Sequence, residues 1–190
     1  MATTEPRIVV EPGVGTLEIF PFEPTEETLY RLFSDLFSNH WNEFIFGPYI
    51  QGAVFEIKAP NAPTRISLNN GYLTVDFGPW HFHLCIGEYK GSPQNPIDPE
   101  LARQRRTARA EFYRRLNADG SPGSWGIRLF NGKGEQQITI FLPNPFYSNE
   151  MQRLEAPDWS RLALWDKLRS QYLGLEPDPK DRSATRFEHG

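Results

Sequence analysis

Between Tyr72 and Ile86 the chain alternates with period two on both sides of a Gly78-Pro79 step. Leu73, Val75 and Phe77 fall at one parity, and Tyr72, Thr74 and Asp76 at the other. After the step, Phe82, Leu84 and Ile86 alternate with His81, His83 and Cys85. Side chains of a strand point to opposite faces in turn, so this pattern predicts two strands, each with one apolar face. Glycine takes the positive φ that a type II′ turn needs first, and proline suits the negative φ of the second position. A two-residue turn at Gly78-Pro79 pairs Asp76 with His81, Thr74 with His83 and Tyr72 with Cys85. One face of this hairpin is then core, and the other gathers hydroxyls, a carboxylate, two imidazoles and a thiol.

Elsewhere the signals are of the same kind. Short strands are expected at residues 7–10 and 16–20 around "EPGVG", then at 51–58, 64–69, 71–77 and 80–86. A second hairpin reads "SWGIRLF-NGKG-EQQITIFLP", where a four-residue loop at Asn131–Gly134 would set Arg128 opposite Gln137. Thr25 suits a helix N-cap, and Leu29, Leu32, Phe33, Leu36 and Phe37 recur after it at helical spacing. Further helices are predicted over residues 98–117 and from Asp158, through Trp159, Leu162, Trp165, Leu168 and Tyr172. Hairpins in groups with helices between them predict an α+β fold: a largely antiparallel sheet with about three principal helices packed on it. The expected organisation is one globular domain over residues 1–175 and a disordered tail over 176–190, which is charged, proline-containing and poor in apolar groups.

At 190 residues with 38% apolar composition, the chain is long enough to bury a core of its own. A net charge of −4 gives no general affinity for nucleic acid or anionic lipid, so nucleic-acid binding is not expected. The N-terminal residues carry no basic and apolar leader pattern, no apolar run approaches a membrane span, and the one cysteine has no internal disulfide partner. These features together predict a soluble, cytoplasmic protein. Aromatic residues make up 14% of the chain and fill a core or line a ligand pocket. A homodimer through apolar faces of short helices is compatible with the sequence, which does not separate it from core packing.

The polar hairpin face carries the chemical interest. His81 and His83 with Cys85 or Glu88 offer metal-ligand types at close spacing, with Asp76, Tyr72 and Thr74 behind them as supports. Glu88 has the wrong parity for a straight strand, but Gly87 permits a bulge that would re-aim it. The expected ion is a single transition metal, Fe, Zn, Cu or Ni. Arg105 and Arg109 from the predicted second helix, with Arg128 and Gln137 from the second hairpin, are the expected contacts for a small anionic substrate. Whether such a site is catalytic is left open by the sequence.

His81-x-His83-x₄-Glu88 resembles the core of the first cupin motif, in which those residue types bind a metal. The resemblance covers eight residues and is one of ligand spacing rather than family membership: the flanking glycines differ and no later histidine supplies a fourth ligand. "HFHLCIG" is also similar to the signature of histidine-triad hydrolases and transferases, which would make His83 a nucleophile towards phosphate, with Cys85 standing where the third histidine belongs. The alternative is a non-catalytic module that binds a small molecule or a protein while its histidines are incidental.

Overall fold

The computed structural model describes residues 5–50 and 52–187. In chain order it holds β1 (Arg7–Glu11), β2 (Gly15–Phe22), α1 (Glu26–Asn39), β3 (Ile45–Gly47), β4 (Tyr49–Ile50), β5 (Ala53–Val54) and β6 (Ile57–Lys58). Then come β7 (Arg65–Asn69), β8 (Tyr72–Asp76), β9 (His81–Cys85), β10 (Gly91–Ser92), β11 (Asn95–Pro96) and α2 (Pro99–Arg105). The rest comprises β12 (Thr107–Leu116), β13 (Pro122–Asn131), β14 (Gln136–Phe141), a 3₁₀ turn (Trp159–Leu162), α3 (Ala163–Leu173) and a second 3₁₀ turn (Pro179–Arg182). Among the described residues this is an α+β fold with three α-helices and largely antiparallel sheets, as the hairpin grouping predicts. The largest sheet has the order β1-β2-β12-β13-β14-β3-β6, and β7-β8-β9 form a separate three-stranded sheet.

Two compact units share the chain, one made of residues 5–22, 111–128 and 140–187, the other of 23–110 and 129–139. In the second unit, α1 begins at Thr25, whose side chain accepts from the Thr28 N–H. Its apolar stripe buries Leu29, Leu32, Phe33, Leu36 and Phe37 completely. Phe37 lies edge-on to Phe44 and Phe46 at ring separations of 5.1 and 5.0 Å, and 5.6 Å from Phe82 of β9. The apolar parity of the hairpin is thus spent on this aromatic cluster, which fixes β9 with its histidines turned the other way.

In the first unit, Phe20 of β2 meets Trp165 of α3 at 6.1 Å, and Trp165 meets Phe112 at 6.0 Å. Residues 176–187 of the predicted tail are ordered here instead. Asp178 caps a 3₁₀ turn, and Asp181 is fully buried, accepting from Arg114 Nη1 (2.8 Å), Trp125 Nε1 (2.8 Å) and Trp165 Nε1 (2.9 Å). A polar segment folds because one carboxylate satisfies donors that would otherwise be buried unpaired.

The helix predicted over 98–117 is also corrected. Asp98 and Pro99 start it as expected, with Asp98 accepting from the N–H groups of Glu100 and Leu101, but Arg106 is extended (φ −64°, ψ 143°) and residues 107–116 are a strand. Alanine, arginine and glutamate favour a helix locally, yet β12 lies between β2 and β13 in the sheet order, so ladder bonds and buried side-chain pairs override that preference.

Candidate functional site

The β8–β9 register is the expected one: Asp76 opposite His81, Thr74 opposite His83 and Tyr72 opposite Cys85. Gly78 has φ +96°, and the Phe77 N–H donates to the Trp80 carbonyl across the turn. His81 and His83 are both exposed on β9, with ring centroids 4.9 Å apart and planes inclined at 72°. Thr74 Oγ1 lies 2.8 Å from His83 Nδ1. Asp76 does not turn to His81: its Oδ1 accepts from the Gly78 N–H at 2.9 Å, and its Oδ2 lies 3.5 Å from Arg65 Nη2.

Cys85 shares the parity of the histidines but not their exposure. It is buried, and its Sγ donates to the Gly87 carbonyl at 3.7 Å. The Thr107 hydroxyl oxygen lies 3.0 Å from the Cys85 carbonyl, at the end of β9. Burial raises the thiol above its ordinary value, against the Tyr72 hydrogen bond and the charges of Arg105 and Arg106. Tyr72 is raised too, by burial and then by Cys85, and Tyr89 packs edge-on to it at 5.1 Å. Glu88 is solvent-facing, 3.8 Å from Lys90 Nζ. Among the described residues no three His, Cys, Asp or Glu side chains form a group able to hold a metal ion. The expected ligand set of His81, His83, Cys85 and Glu88 is therefore not assembled. The thiol stays neutral inside, and the carboxylate leaves the histidine face.

The expected clamp residues separate. Arg105 stands near enough to Tyr72 and Cys85 for its charge to favour their ionised forms. Arg109 instead lays its guanidinium 3.6 Å over the Phe130 ring. Arg128 is buried, donating through Nε to Glu111 at 3.0 Å and through Nη1 and Nη2 to Glu11 at 2.8 and 2.9 Å, so it serves the protein's own acids. Gln137 accepts from Thr107 Oγ1 at 2.8 Å and donates to the Arg105 carbonyl at 2.9 Å. The Arg128–Gln137 pairing is expected from a loop that begins at Asn131, whereas β13 runs through Asn131 and β14 starts at Gln136. The Asn131 N–H donates to the Glu135 carbonyl, and Gly134 takes φ +80°.

What the fold builds instead lies along α2. One open concavity of about 390 Å³ is lined by Glu88, Tyr89, Lys90, Ile97, Pro99, Ala102, Arg103 and Arg106. A second, of about 520 Å³, is lined by Glu23, Pro24, Thr25, Glu100, Arg103, Gln104, Arg106, Thr107, Ala108 and Gly132. Arg103 and Arg106 belong to both. Arg103 is held by Glu100, whereas the Arg106 side chain is exposed and makes no hydrogen bond or ion pair among the described residues. Lys90, Arg103 and Arg106 face a single carboxylate, Glu88, in the smaller concavity. Neither arginine is among the substrate contacts expected from sequence. The informative signal is Arg106-Thr107: once the helix stops there, Arg106 becomes the hinge between helix and strand.

A family model described as a family of unknown function, DUF7676, matches residues 6–174. No curated protein matches the chain. Among solved structures it resembles a protein from Erwinia carotovora (TM-score 0.52, 15% identity, 83% of this chain and 76% of that one covered). It also resembles a protein from Agrobacterium tumefaciens (TM-score 0.50, 15% identity, 85% and 73% covered). A heme-binding protein, ChuX, matches at TM-score 0.49 and 13% identity, covering 82% of this chain and 76% of that one. At 15% identity the first two share the fold and nothing finer, and the third adds nothing to that.

Proposed function

The chain belongs to DUF7676, a family of unknown function, and we propose that it binds a small anionic molecule, a carboxylate or phosphate, along α2. The observation that carries this is Arg106: an exposed guanidinium with no partner among the described residues, shared by two adjoining concavities. A guanidinium presents a planar fork of donors that fits a carboxylate or phosphate, and Lys90 and Arg103 add charge of the same sign. Tyr89 supplies an aromatic wall. This reading keeps the anionic ligand expected from sequence but moves its contacts from Arg109 and Arg128 to Arg103 and Arg106, with Arg105 beside Tyr72. It requires no metal at His81 and His83.

The test is a thermal-shift screen against citrate, inorganic phosphate and pyrophosphate, with calorimetric titration of any hit against wild type and Arg106→Glu. Loss of at least about tenfold in affinity in the variant, about 1.4 kcal/mol, supports the reading. A hit bound equally by Arg106→Glu removes it.

A further inference from the structure

We propose that β1 is the contact strand of a homodimer and pairs antiparallel with β1 of a second copy about Val9. β1 stands at one end of the seven-stranded order, with β2 as its one neighbour there among the described residues. Its register on β2 is regular from Arg7 opposite Ile19 to Glu11 opposite Gly15. Val9 faces inward and packs on Leu17, Ile19 and Tyr113, which holds the strand to its unit. The opposite parity is open: Ile8 is 63% exposed and Val10 73%.

Edge strands present unpaired backbone donors and acceptors, and proteins that stay monomeric blunt them with lysine, proline or a bulge. β1 carries none of these within Arg7–Glu11, and its charges stand only at its two ends. The sequence of the strand itself identifies the occupant. Arg-Ile-Val-Val-Glu is complementary to its own reverse, so an antiparallel pairing centred on Val9 sets Arg7 opposite Glu11 of the partner subunit. The same register sets Ile8 opposite Val10 of the partner subunit, twice by symmetry, so four exposed β-branched side chains cover one another. Glu11 is already oriented by Arg128 at 2.8 and 2.9 Å, so its carboxylate is fixed for Arg7 of the partner subunit. A foreign strand would need to reproduce this order by chance, whereas a second copy carries it necessarily.

The experiment is sedimentation equilibrium of the full chain over a dilution series, with wild type, Val10→Lys and Ile8→Lys. Both replaced side chains are exposed, so thermal melts should match wild type while the dimer dissociation constant rises at least about tenfold. As a second measurement, Val9→Cys is oxidised. Opposed Cα atoms of an antiparallel pair lie about 4.5–5.5 Å apart, within disulfide reach, so residue 9 should cross-link to itself. A wild type that is monomeric throughout the series overturns the proposal. So does a dimer unaffected by lysine at Val10, or a dimer in which Val9→Cys does not cross-link.

Discussion

Asp181 Oδ1 lies 2.8 Å from Arg114 Nη1, with the carboxylate fully buried and the guanidinium nearly so. The same carboxylate accepts from the indoles of Trp125 and Trp165, and Arg169 Nη1 lies 3.2 Å from its other oxygen. Four donors therefore converge on one acid that comes from a segment with little apolar content. Removing one partner of a buried pair leaves the other charge uncompensated and costs about 3–5 kcal/mol. Asp181→Ala should lower Tm by an amount on the order of 10 °C and shift tryptophan emission to the red. A melt within about a degree of wild type would mean that the carboxylate is not the anchor of residues 176–187.

That anchor shows what a sequence reading reaches and what it does not. The 72–86 hairpin was legible to the residue because period two and a Gly-Pro turn leave one register. The α1 core was legible because its stripe is local. Residues 107–116 were not, since Arg, Ala, Glu and Leu satisfy a helix test, and what decides against the helix is remote: Glu18 for Arg114 and Arg128 for Glu111. The tail failed for the same reason. Asp181 reads as solvent-facing until three distant segments bring Arg114, Trp125 and Trp165 to it. For the candidate site, the parity of β9 set Cys85 on the side of the histidines, but its burial is not a matter of parity: the Thr107 hydroxyl that meets its carbonyl comes from twenty-two residues away.

Acid should loosen the first unit through Glu18 and Asp178. For Glu18, burial works to raise the carboxyl, but the hydrogen bonds and charges of Arg114 and Lys180 outweigh it and hold the group below its ordinary 4.5. For Asp178, burial is likewise outweighed, by the Lys180 N–H and by Arg114, which hold it below 3.8. A depressed carboxyl contributes stability that is present above its unfolded value and lost as pH falls through its folded value. Tm should therefore hold on descent towards pH 4.5 and decline below it. Glu18→Gln should flatten that decline while lowering Tm at neutral pH. An acid limb equally steep in the variant would show that other carboxylates dominate.

Cys85 should behave as an unreactive thiol. Burial, the largest influence, raises it above its ordinary 9.0, and the Tyr72 hydrogen bond and Arg105 offset only part of this. Alkylating and disulfide reagents attack the thiolate, so the native protein near neutral pH should label at least about tenfold more slowly than the denaturant-unfolded chain. Rapid stoichiometric labelling of the folded protein would contradict the burial of β9's end, and with it the separation of the thiol from His81 and His83.

Gly71 isolates a backbone constraint at the base of the candidate site. The β7–β8 hairpin turns through Asn70 and Gly71, both at positive φ, +48° and +77°, as a two-residue primed turn demands. Gly71 also supports the segment that leaves β9: its carbonyl accepts from the N–H groups of Ile86 and Gly87, and a Cβ placed on it would stand 2.6 Å from the Glu88 carbonyl carbon. Gly134 is a matched control, with φ +80° and nothing within 4 Å of an added Cβ. Alanine at either position meets the left-handed penalty of about 1–2 kcal/mol. Gly71→Ala must in addition displace the Glu88 backbone, so its loss of stability in urea should exceed that of Gly134→Ala by about 1 kcal/mol or more. The same displacement moves Tyr89 and Lys90, so Gly71→Ala should also weaken any anion found at the α2 concavities, while Gly134→Ala leaves it unchanged. Equal destabilisation by the two substitutions would show that the Gly71–Glu88 approach constrains neither the turn nor the site.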